Sequence, residues 1–332
     1  MTALPAWWLR DTALSRILAP AGGLFAGLTR LRRYAFARGW LRSHRLPVPV
    51  VVVGNIFVGG TGKTPLVAAL VERAGARGWR PGIVCRGYGG RARDWPRRVG
   101  EDTSPGEVGD EPVLLARRTS RPVMAGPDRV RAARALLAAT DCDLLVLDDG
   151  LQHYRLARDA EIVVMDGSRG LGNGRCLPAG PLREPPSRLR CADAVLVNGP
   201  AEGEGGGFEL QGATLMAVDG SERQRPLEEL TGRRVHAVAG IGNPERFFRQ
   251  LEAAGLTVNR HAFPDHHAFR PGDLEFEDDD PVVMTEKDAV KCVAFAPPAC
   301  WYLRVAAVLD DPGAAAVDAV LDRLEARKGG GA

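Results

Sequence analysis

Val48-Pro49-Val50-Val51-Val52-Val53-Gly54-Asn55-Ile56-Phe57-Val58-Gly59-Gly60-Thr61-Gly62-Lys63-Thr64 decides how this chain folds. The β-branched run Val50 to Val53 reads as a buried strand that breaks into a glycine-rich loop ending in Gly62-Lys63-Thr64. Leu66, Val67, Leu70 and Val71 follow at i, i+1, i+4 and i+5, the spacing of a helix. Strand, loop and helix in that order are the context in which a phosphate-binding loop works. Its glycines let backbone N–H groups turn inward on a polyphosphate, and the helix N-terminus adds partial positive charge. The expected nucleotide contacts are Phe57, Val58, Gly59, Gly60, Thr61, Gly62, Lys63 and Thr64. Lys63 would reach the β- and γ-phosphates and the Thr64 hydroxyl would bind Mg²⁺.

The match to G-x-x-x-x-G-K-[ST] departs at its first position, where Phe57 stands. The bland alternative is a glycine-rich βα turn with an exposed lysine. Lysine is scarce, however: Lys63, Lys287, Lys291 and Lys328 are the only four among 44 basic residues. A chain that so favours arginine seldom places a lysine here by accident.

Working outward, 332 residues are enough for two domains with cores of their own. A hydrophobic content of 45% with 26% charged residues is that of an ordinary globular protein, and a net charge of +3 does not call for nucleic acid. The charge is unevenly spread. Residues 1–47 hold eight arginines against one acid, Asp11. Leu14, Ile17, Leu18, Ala21, Leu24, Phe25, Leu28 and Leu31 recur there at helical spacing, with Trp7, Trp8 and Trp40 nearby. Two readings stand for this segment: a basic amphipathic helix in a lipid interface, or a helix packed on the next domain. The uncharged run Ile17 to Thr29 has 13 residues, too few to span a bilayer, and Asp11 and Arg16 interrupt any signal-peptide core. The six cysteines form no C-x-x-C pair, so free thiols are expected.

Beyond the loop, short apolar runs each close on polar residues: Ile83 to Cys85 on Arg86-Gly87, Leu144 to Leu147 on Asp148-Asp149, Ile162 to Met165 on Asp166, Ala194 to Val197 on Asn198. Helical segments between them (Glu111 to Arg118, Asp128 to Ala139) predict an α/β fold with a mostly parallel sheet, its ligand site at the strands' carboxyl ends. A polar, glycine-rich stretch over Pro200 to Gly207 leads to one or two hinge strands. A second αβ segment begins near Arg233.

Leu144 to Asp149 has the form of a strand presenting carboxylates to Mg²⁺ beside a phosphate loop, against the alternative of a strand and a solvated turn. Asp110 and Glu111 open a helix, and by chemistry alone Asp110 reads as its N-cap. Asp265-His266-His267 suits proton handling or metal binding, or a purely structural loop. Arg183-Glu184 sits in a proline-rich turn that reads equally as a loop over a site or as surface.

Seven segments in register resemble the tetraacyldisaccharide 4′-kinase family: Gly54-Asn55 through Lys63-Thr64-Pro65, Arg86 to Gly89, Val108 to Pro112, Leu147 to His153, Pro178 to Glu184, Phe263 to His267 and Thr285 to Lys291. The non-glycine at Phe57 is usual in that family's loop. The resemblance implies ATP-dependent phosphorylation of the 4′-hydroxyl of a tetraacyldisaccharide 1-phosphate, giving lipid IVA in lipid A biosynthesis. It implies a P-loop NTPase-like αβα domain (48–205), a β hinge (206–231) and a smaller C-terminal αβα domain (232–327). A membrane-contacting segment (1–47) precedes them, and a disordered tail (328–332) follows. By the same resemblance, Asp110 becomes a general base paired with His266 or His267. Thr64 with Asp148 or Asp149, and Glu184, hold Mg²⁺, while Lys63, Arg183 and Arg86 meet phosphates. A monomer is expected, peripheral at the cytoplasmic face of the inner membrane. Two rivals share the loop: a kinase for a soluble acceptor, and an ATPase switch, which would leave Asp265-His266-His267 without a role.

Overall fold

The computed structural model describes residues 5–199 and 206–329. Its strands are β1 (Val50–Gly54), β2 (Pro81–Cys85), β3 (Arg97–Val99), β4 (Val123–Ala125), β5 (Leu144–Asp148), β6 (Ala160–Asp166) and β7 (Ala194–Asn198). Then follow β8 (Gly207–Ala217), β9 (Gln224–Pro226), β10 (Arg234–Ala239), β11 (Thr257–Ala262), β12 (Val282–Thr285) and β13 (Cys300–Leu309). All lie in one sheet, ordered β11-β10-β12-β13-β8-β7-β6-β1-β5-β2-β4-β3, with β9 on β8.

The strand β1 is buried on both faces because helices cover both, as its unbroken valine run requires. Val51 and Val53 point into a core with Leu66, Val67 and Leu70, whereas Val50 and Val52 face Leu136, Leu145 and Leu147. The period-2 alternation of a strand thus divides four identical side chains between two cores. In the second half, Val235, Ala237 and Ala239 of β10 pack on Phe247, Phe248 and Leu251 of the helix Pro244–Ala253.

Two mostly parallel blocks meet at β8 and β13, which pair antiparallel. These are the longest strands of the sheet, and the ladder shifts register between Arg304 and Ala306. Such an irregularity bends and twists a sheet. Residues at the carboxyl ends of β1, β2, β5 and β7 in one block, and of β10 and β12 in the other, line one shared cleft. The junction between the blocks therefore has two strands distant in sequence, whereas the expected hinge (206–231) contains only the strands β8 and β9.

The expected boundary of the second domain also shifts. The last helix, Asp311–Gly329, returns to the first half, where Val317, Val320, Leu321 and Leu324 join the core of Val67, Leu70 and Val71. Arg73 Nε donates to Asp318 at 2.6 Å and Arg77 Nη1 to Asp322 at 2.6 Å. The helix includes Lys328, whose ammonium pairs with Asp143 at 2.9 Å and lies over the Trp79 ring. Those contacts order the start of the tail expected to be disordered; residues 330–332 lie outside the described part of the chain.

At the other end, the helix Ala19–Ala37 packs one face on the first half. Gly22 lies so close to Ala179 and the Cys176 carbonyl that a Cβ would sit 2.8 Å from each, and Phe25 and Ala26 pack against the first half's core. Leu24, Leu28 and Leu31 stay exposed on the other side, as does Ile17 at the end of the preceding helix Ala13–Ile17. No helix among the described residues is long and apolar enough to cross a membrane.

Candidate active site

The cleft between the halves has a volume of about 390 Å³. Its floor is the loop after β1. Gly59 and Gly62 hold φ of +107° and +84°, a region that favours glycine, and Gly62 is the N-cap of the helix Lys63–Ala76. Side chains tie down the loop's carbonyls one by one. Buried Asn55 donates to Phe57 O at 2.8 Å and Gly59 O at 3.3 Å, and Asn198 at the end of β7 donates to Thr61 O at 3.0 Å. Arg169 donates to Gly60 O and pairs with Asp166 at 2.7 Å. In a trans peptide the N–H points opposite to the C=O. Holding the carbonyls on the protein side therefore presents the amides on the other, as an anion requires. The Phe57 side chain is buried beneath the Arg169 guanidinium, and the cleft lining begins after it, at Val58.

At the end of β5, Asp148 Oδ2 accepts from the Thr64 hydroxyl at 3.2 Å, while its buried Oδ1 has no partner. Burial, reinforced by the Glu111 carboxylate, pushes the Asp148 pKa up to about 7. A buried carboxylate with one oxygen unsatisfied beside a hydroxyl is a hard-oxygen donor set that fits Mg²⁺. Asp149 follows with φ +52°. Lys63 Nζ lies 3.4 Å and Arg183 Nη1 3.3 Å from its carboxylate. Burial raises the Asp149 pKa, but those two cations outweigh it and leave the group below its ordinary value.

Glu184 departs from its expected role as a metal ligand. Its Oε1 accepts from Gln152 at 3.1 Å and its Oε2 from Tyr154 at 2.6 Å, with Arg188 alongside at 3.4 Å. The carboxylate is buried and committed to bracing the loop that carries Arg183, and it does not line the cleft.

Asp110 is inside the helix Asp110–Thr119, after Gly109 at the N-cap position, and makes no capping bond. Its Oδ2 lies instead 3.0 Å from Nδ1 of His266, which comes from the second half. His266 itself has φ +62°, costly for a histidine and characteristic of functional loops. His267 turns to Asp273, 3.0 Å away, so only one histidine of the pair meets Asp110.

A family model described as tetraacyldisaccharide-1-P 4′-kinase matches residues 14–325. The chain belongs to this family. Tetraacyldisaccharide 4′-kinases from Alkalilimnicola ehrlichii, Halorhodospira halophila and Pseudomonas aeruginosa are 56%, 53% and 51% identical to it. Each match covers 98% of this chain and 98–99% of the relative. The crystal structure of LpxK from Aquifex aeolicus in complex with ATP superposes with a TM-score of 0.79 at 29% identity, covering 94% of this chain and 99% of that one. The tetraacyldisaccharide 4′-kinase fold thus extends over essentially the whole molecule.

Several residues of the site carry no assigned role in the sequence alone. Asn55, Asn198 and Arg169 shape the loop through its carbonyls, and Arg246 crosses from the second half to donate to Asn198 at 2.9 Å. Asn198 was expected at the ligand site from its place at a strand's carboxyl end, but its hold on the loop carbonyl shows only in the fold. Arg246 left no such signal, because it lies in a helix whose pattern reports only its packed face.

Proposed function

We infer that the chain transfers the γ-phosphate of ATP to the 4′-hydroxyl of a tetraacyldisaccharide 1-phosphate, in lipid A biosynthesis. One observation carries the chemistry: the phosphate-binding loop lines the same cleft as His266, which reaches from the second half to Asp110 in the first. Lys63 and the loop amides hold the polyphosphate. Lys63 and Arg183, converging on Asp149, set two cations where charge builds on the transferred group. Asp110 takes the proton of the acceptor hydroxyl, with His266 orienting it. Thr64 and Asp148 are the residues that would hold Mg²⁺, which when bound neutralises phosphate charge.

The acceptor carries acyl chains, and the exposed row Ile17, Leu24, Leu28 and Leu31, amid arginines, suits a peripheral position on the cytoplasmic face of the inner membrane. The test is transfer of labelled γ-phosphate from ATP to a tetraacyldisaccharide 1-phosphate in mixed micelles. Label should appear on the disaccharide, and Lys63→Ala should lower its rate by about 10²-fold or more. Label released only as inorganic phosphate, or accepted equally by a soluble sugar, would overturn the assignment.

A further inference from the structure

Lys287 lies in the first turn of the helix Glu286–Cys292, where the positive end of the helix dipole disfavours a cation. It is nevertheless largely buried, in the cleft, among carboxylates from both halves. Nζ is 3.4 Å from Glu111 in the first half and 3.2 Å from Asp265 in the second. Burial lowers its pKa, but Glu111 and Asp265 outweigh it and leave the group above its ordinary value, so the amine stays an ammonium. Its remaining neighbour is His266 Nε2, at 3.4 Å.

For a neutral ring the donor and acceptor inventory then leaves one arrangement. An ammonium has only donors and an ionised carboxylate only acceptors. His266 stands between the two, with Nε2 toward Lys287 and Nδ1 toward Asp110, 3.0 Å away. Lys291 Nζ, 3.9 Å from Asp110 and 2.7 Å from Asp288, keeps a second cation beside the Asp110 carboxylate. The Asp265 carboxylate, 3.8 Å from Nε2, would favour a proton there, but it is already bonded to Lys287. The geometry points to Lys287 as a positioning residue that fixes His266 in its neutral Nδ1–H tautomer, so that His266 donates to Asp110 and leaves Asp110 as the proton acceptor. Because Lys287 also touches Glu111 across the cleft, the tautomer is set only when the two halves meet.

This deepens the reading of the site as a kinase, and its tautomer measurement is independent of the acceptor. The ring nitrogens of the full chain labelled with ¹⁵N-histidine are followed by two-bond ¹H–¹⁵N correlation near pH 8, above the ordinary range of histidine. His266 is assigned by its disappearance in His266→Gln. Wild-type His266 should carry its proton on Nδ1 and none on Nε2, the reverse of the tautomer that free imidazole side chains prefer. Lys287→Met should lose that preference and lower kcat at least about tenfold while KM for ATP stays within about twofold. Lys287→Arg should recover part of both. A wild-type ring protonated on Nε2 overturns the inference, as does a Lys287→Met spectrum identical to wild type.

Discussion

Asp110 shows how one residue's role depends on what stands opposite it. Read along the chain, an acid at the start of a helix caps it; in the fold Gly109 takes the cap position and the carboxylate reaches a histidine 156 residues away. Asp110→Asn keeps the shape and an acceptor for His266 but cannot take a proton. It should lower kcat by about 10²-fold or more, the usual contribution of a positioned base, with KM for ATP little changed. Thermal melts of the same sample should match wild type, because the amide keeps the shape and the acceptor. Near-normal kcat would return Asp110 to a structural role. Glu184 makes the converse point: a charged residue in a rigid loop looks available in the sequence, yet Gln152, Tyr154 and Arg188 take up its oxygens.

The N-terminal helix was legible as amphipathic from its spacing, but periodicity does not say which face meets the protein. Packing settles that, with Gly22, Phe25 and Ala26 inward and Leu24, Leu28 and Leu31 outward. Trp8 is fastened by its indole N–H to Pro178 O at 3.3 Å, so the aliphatic row and exposed Trp40 are better suited to enter lipid. Each such side chain is worth about 1.5–3 kcal/mol when fully buried, and each arginine near anionic lipid about 1 kcal/mol before screening. Leu24→Glu with Leu28→Glu should therefore abolish flotation with phosphatidylglycerol-containing vesicles and leave the melting temperature unchanged. High salt should release the wild type only in part. Unchanged vesicle binding by the double variant would show that this face does not meet the bilayer.

Across the whole molecule, the two halves share one sheet and are tied by the chain's last helix. A reader of the sequence assigns that helix to the domain it follows. Its apolar residues instead complete the core over the loop-bearing helix, so the C-terminus closes the first half. Leu321 is fully buried there. Leu321→Ala should destabilise the protein by about 2–5 kcal/mol, measured by urea titration, with KM for ATP unaffected. A loss below about 1 kcal/mol would mean that the helix only rests on the surface.

What the sequence determined by itself was local: the strand, loop and helix around Lys63, the carboxylates closing β5, and the alternation of apolar runs that makes an α/β sheet. These are written in neighbouring residues, where periodicity and backbone freedom act directly. The tertiary structure alone decided which histidine meets Asp110, which acids remain open to a cation, where Lys287 and Arg246 cross between halves, and which half the last helix serves. Each depends on residues far apart in the chain being brought within about 4 Å, the range over which hydrogen bonds and ion pairs act, and no local spacing encodes that distance.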